Sequence, residues 1–158
     1  MQTIDIYSFN ELSDKAKETA ISNYRSNCFE YAWQNESHES LKAFCGLFGV
    51  EVTGYSIGTW VHSYIETDAK NGHFRGWNKQ KVNAIPEFLT EYCLDCAFIE
   101  AFKREFEKTG DAFYSFNEAI DAGLKDWVAD LEYQESNEYI ADFLTANEFQ
   151  FLENGRIK

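Results

Sequence analysis

Residues 37–52, SHESLKAFCGLFGVEV, and residues 59–67, TWVHSYIET, together decide the fold class. In the first stretch Leu41, Phe44, Leu47 and Phe48 recur at three and four residues, the spacing of one helix face. Ser37 is placed to cap that helix, and Gly49 sits where a helix C-terminus takes a left-handed residue. The period then drops to two. Val50-Glu51-Val52 alternates, and so does Thr59 to Thr67, with Val61, Ser63 and Ile65 on one face and Trp60, His62 and Tyr64 on the other. Asn71-Gly72 signals a turn, and His73 to Trp77 is the expected returning strand.

Helical spacing resumes on both sides of this region. Thr3 to Tyr7 alternates as a half-buried strand. Ser8 and Glu11 have capping-box spacing, and Ser13 is a second N-cap. A helix is expected from Asp14 to about Trp33, with Leu12, Ala16, Ala20 and Tyr24 as its apolar stripe. Pro86 suits a first helical turn, so a helix is expected from Glu87 to about Lys108, ended by Thr109-Gly110. Further helices are expected at about 116–134 and 137–146. Glu148 to Leu152 alternates again and should join the sheet, before a turn at Asn154-Gly155. The whole reads as α+β, an antiparallel sheet with several helices packed on it, in a single domain over residues 1–158.

Composition narrows the function classes. Aromatic residues make up 17% and apolar residues 44%, a globular rather than disordered balance. The formal charge of −13 argues against direct nucleic-acid binding, which relies on Lys and Arg against phosphates. No apolar run has membrane-spanning length, and the opening residues lack a signal-peptide pattern, so a cytoplasmic location with free thiols is expected. Residues 87–158 carry 17 acids against 6 bases, whereas residues 1–86 carry 10 against 8. Residues 69–86 hold four bases and no acid: Lys70, Arg75, Lys79 and Lys81.

Motifs for chemistry are weak. Cys93 and Cys96 form one C-x-x-C pair, where structural zinc usually takes two. The pair falls in the middle of the expected helix among Phe88, Tyr92 and Ile99, so core packing is the expected role. His38, His62 and His73 have no metal-ligand spacing. Phosphate-loop, dinucleotide and nucleophile-elbow signatures are missing. No catalytic residue, metal or cofactor is expected, and a non-enzymatic protein is the reading that follows.

The acids are more telling. Glu87, Glu91 and Asp95 recur every four residues and would form a ladder along the expected helix. Asp126 with Asp130, and Glu138 with Asp142, repeat that spacing. Like charges four apart cost an isolated helix roughly 0.2–0.5 kcal/mol per pair. Solubility is one use of such a face; competing with nucleic acid for a basic protein groove is another. These seven residues are the candidate partner contacts. Trp60, His62, Tyr64 and Trp77 are the candidate lining of a small-ligand site on the aromatic hairpin, the alternative reading.

Tyr7-Ser8-Phe9-Asn10-Glu11-Leu12-Ser13, followed by Ala16-Lys17, Ala20 and Tyr24-Arg25, resembles the opening of a family of small bacteriophage and mobile-element proteins with an antitoxin-like motif. The closing Ile140-Ala141-Asp142-Phe143 and Asn147 to Gly155 are similar too. The resemblance implies genomic context and no catalytic residue. With the charge pattern it suggests a phage-type accessory protein that binds and inhibits a host defence complex, a CRISPR effector or restriction enzyme, in the bacterial cytoplasm. The partner would be a host protein with a basic nucleic-acid-binding groove. An antitoxin-like protein masking a basic toxin is the alternative the motif suggests.

Overall fold

Among the described residues, six α-helices and two small antiparallel sheets build an α+β protein. The structure, a computed structural model, describes residues 3–59 and 62–158. The elements in chain order are β1 (Tyr7–Ser8), α1 (Asp14–Asn27), α2 (Gln34–Gly46), β2 (Val52–Ser56), β3 (Tyr64–Thr67), α3 (Lys79–Asn83), α4 (Leu94–Thr109), α5 (Ala112–Gln134), α6 (Asn137–Ala146) and β4 (Gln150–Phe151). The chain divides into two compact units: residues 1–31 with 132–158, and residues 32–131.

The first unit is organised by capping and a compact apolar stripe. The Ser8 backbone N–H donates to Glu11 Oε1 at 2.9 Å, and Ser13 Oγ accepts from the Ala16 N–H at 3.2 Å, so both expected caps form. That first bond also holds the Glu11 carboxyl below the usual carboxylate range. Ala16, Ala20 and Tyr24 of α1 pack against Ile140 and Leu144 of α6 and against Phe151. Burying such side chains stabilises by roughly 1.5–3 kcal/mol for each large one. Arg25 ties α1 to the start of α6, donating to the Glu135 carbonyl at 2.9 Å and to the Asn137 side chain. The strands are shorter than their alternation suggests: only Tyr7 and Ser8 pair, antiparallel, with Phe151 and Gln150. They form a two-stranded sheet of their own rather than joining β2 and β3.

The second unit is built on phenylalanine. Phe44 of α2 stacks on Phe98 of α4 at 5.2 Å and on Phe116 of α5 at 5.6 Å, nearly parallel to both. Phe48 and Phe102 complete the cluster, and all five rings are fully buried. β2 and β3 pair antiparallel, with an irregularity between Val52 and Gly54.

Several boundaries differ from the sequence reading, each for a local reason. The helix expected from Ser37 starts at Gln34 instead, so Ser37 lies inside α2 and is buried. α1 stops at Asn27, where Cys28 leaves helical geometry with φ −123°. The strand expected at 73–77 does not form. The His73 N–H donates to the Phe48 carbonyl at 2.6 Å, and the Phe74 and Trp77 rings pack on Phe48. The aromatic core draws this segment away from the hairpin. Residues 87–93 are not helical, and α4 begins only at Leu94. The expected helix end holds at Gly110 (φ +65°), whereas α2 ends at Gly46, three residues before the left-handed Gly49 (φ +64°).

Gly123 of α5 faces the Phe98 ring so closely that any Cβ would overlap it. Helix propensity alone favours Ala over Gly by about 1 kcal/mol. We expect the opposite sign here: Gly123→Ala should destabilise by roughly 1–3 kcal/mol through overpacking, read by denaturant unfolding. Gly110→Ala, in open space, should cost only about 1 kcal/mol.

Candidate functional site

The acidic ladder at residues 87–95 is not present as a ladder. Glu87 and Glu91 are exposed but lie on irregular backbone, with Glu91 at φ +70°. Asp95 is fully buried. Its carboxylate accepts from the Leu89 N–H at 2.8 Å, the Thr90 N–H at 2.6 Å, the Thr90 hydroxyl at 3.0 Å and the Ser40 hydroxyl of α2. Asp95 is thus an internal tether that folds residues 87–93 back on the start of α4, and it offers nothing to a partner. Burial works to raise its pKa, but the hydrogen bonds from Ser40, Thr90 and Leu89 outweigh it and hold the carboxyl below its ordinary value.

The remaining candidates are placed as the sequence suggests, though not as one set. Asp126 is exposed and Asp130 half-buried on α5, in the second unit. Glu138 and Asp142 are both exposed on α6, in the first unit. What the sequence reading missed is a groove of about 480 Å³ between α4 and α5. Glu100 and Glu105 line it from α4; Glu118, Asp121 and Asp126 line it from α5. Arg104 and Lys125 share the groove, leaving three acids in excess. Part of the signal was available on each helix: 100 and 104 share one face of α4, as 118, 121 and 125 share one face of α5. That the two faces meet depends on the Phe98–Phe44–Phe116 stack, which no spacing in the sequence announces.

The four hairpin candidates are not gathered in the described residues. Trp60 lies outside them. His62 and Tyr64 are exposed. The Trp77 ring packs on Phe48 at 4.8 Å and Phe102 at 5.7 Å, and its indole N–H donates to the His73 carbonyl at 3.0 Å. Trp77 therefore belongs to the core margin.

The cysteine pair also departs from expectation. It lies at the start of α4 rather than mid-helix, with Cys93 just before the helix and exposed and Cys96 in its first turn and half-buried. Burial first, then Glu100, Glu87 and Asp95, raise the Cys96 thiol. Cys45 is the buried one, and burial pushes its thiol up to about 12. Among the described residues no group of three His, Cys, Asp or Glu side chains could hold a metal ion.

Two outcomes follow. Asp95→Asn should lower stability at neutral pH by roughly 2–3 kcal/mol, since it strands donors that now meet a carboxylate. Because the folded pKa is depressed, that contribution is full above the unfolded value of about 3.9 and lost as pH falls through the folded value. Stability of wild type and variant, measured by urea unfolding, should therefore converge in acid. In the native protein an alkylating reagent should modify Cys28 and Cys93 and spare Cys45, with all four reacting in denaturant; mass spectrometry reads the sites.

Compared with family models, curated proteins and solved structures, the chain matches none of them.

Proposed function

We propose that the protein is a non-catalytic, phage-type accessory protein that binds and inhibits a host defence complex, docking by acidic surface onto a basic nucleic-acid groove. One observation carries the reading: α4 and α5 collect five carboxylates into one groove. Carboxylates arrayed on rigid helices complement a groove built for phosphates, and long-range attraction speeds such encounters. The phage-like opening at Tyr7–Lys17 supports the choice of a defence complex, a CRISPR effector or restriction enzyme. The contact set is revised accordingly: Glu118, Asp121 and Asp126 lead, Asp130, Glu138 and Asp142 remain as exposed or half-buried acids on helices, Glu87 and Glu91 remain as exposed acids on irregular backbone, and Asp95 is withdrawn.

The test is capture of partners from a bacterial lysate by the tagged protein, at low and high salt. A nucleic-acid-handling enzyme retained at low salt and lost at high salt is the expected result. The triple variant Glu118→Lys, Asp121→Lys, Asp126→Lys should weaken that binding by about a hundredfold, while its melting temperature stays near wild type. Undiminished binding by the variant overturns the acidic-docking reading. Capture of a small basic toxin instead supports the antitoxin-like alternative.

A further inference from the structure

A second cavity, of about 630 Å³, lies between α3 and α4 in the second unit. Its character is opposite to that of the acidic groove. Val82, almost fully buried, and the half-buried Phe106 supply apolar surface. Three cations surround them: Lys79 from α3, Lys103 and Arg104 from α4. The sequence places Lys79 in the acid-free stretch 69–86, but the α4 cations come from the acidic half of the chain. Only the packing of α3 on α4 brings the two sets together.

The state of these cations is informative. The protein has 27 acids for 14 Lys and Arg. Yet neither Lys79 nor Lys103 makes an ion pair among the described residues. Lys103 Nζ is held at the cavity by donating to the Ile85 carbonyl at 3.0 Å. An ammonium has three N–H donors, so two remain for a ligand. Arg104 contacts Glu105 only loosely, at 3.7 Å, and is itself exposed.

We infer that this cavity is a binding site for a small organic anion with an aromatic ring, the ring over Val82 and Phe106 and the anionic group among Lys79, Lys103 and Arg104. The volume is within the roughly 300–1,000 Å³ of small-molecule sites, and the mix of apolar wall and few convergent polar groups is their usual make-up. The apolar wall argues against a bare inorganic anion, which would leave it uncovered. Glu100 and Glu107, which also line the cavity, argue against an extended polyanion such as nucleic acid. One negative charge on a compact apolar body satisfies both constraints. This inference is independent of the acidic groove's role.

The probe is anilinonaphthalene sulfonate, an aromatic anion whose fluorescence rises on desolvation. Titration of the intact protein should show saturable one-to-one binding, with the Val82 methyl and Phe106 ring resonances shifting in NMR. Lys79 and Arg104 are exposed, so the variant Lys79→Glu with Arg104→Glu should fold. It should bind the probe about tenfold or more weakly, with an unchanged circular dichroism spectrum. Should that pair unfold the protein, Lys79→Gln with Arg104→Gln makes the same comparison without reversal, and a smaller loss in the same direction is expected. Inorganic phosphate should compete poorly. Non-saturable binding, resonance shifts elsewhere, probe affinity indifferent to the variants, or phosphate competing as well as the aromatic anion would each overturn the inference.

Discussion

Phe44 sits with one ring against each side: Phe98 of α4 lies 14° from parallel with it and Phe116 of α5 lies 4° from parallel. Everything of interest in the second unit depends on that stack. It fixes α2, α4 and α5 as one body, so the outer faces of α4 and α5 are held at a set separation. The stack is satisfied by shape and burial rather than direction, which tolerates few volume changes. Gly123 is its counterpart: with no side chain there, α5 can approach the Phe98 ring. Phe48 extends the same cluster to Phe74 and Trp77, which keeps residues 73–77 out of the sheet.

Asp95 performs a different task with one carboxylate. A buried charge without partners is costly, and this one receives donors from residues 40, 89 and 90. The result is directional where the aromatic core is not. It joins α2, the irregular segment 87–93 and the first turn of α4, and it sets where α4 begins. That boundary leaves Cys93 exposed and Glu87 and Glu91 on a loop. One acid, spent internally, thereby decides how its sequence neighbours are displayed.

Charge is sorted within the second unit by α4 itself. Glu100 and Arg104 line both cavities, but with α5 the helix shares mainly acids, and with α3 mainly cations over an apolar wall. A net charge of −13 thus conceals two local surfaces of different sign. Screening over about 8 Å at physiological ionic strength allows such surfaces to act separately.

The fold class was legible in the sequence, because period is a local property. The switch from helical spacing at Leu41–Phe48 to alternation at Tyr64–Thr67, the caps Ser8, Glu11 and Ser13, α6 at Asn137–Ala146, and the stop at Gly110 all follow from residues close in the chain. The site was only partly legible. Asp126, Glu138 and Asp142 are exposed as their spacing suggests, whereas Asp95 shares that spacing and is buried. Periodicity states which residues share a face, not whether another element covers that face. Ser40, Leu89 and Thr90 claim Asp95 from outside its own turn, and Lys79 meets Lys103 and Arg104 across a gap of more than twenty residues. Local sequence set the elements; long-range packing decided which charges are consumed inside and which are gathered at the surface, because burial and convergence are properties of the assembled chain.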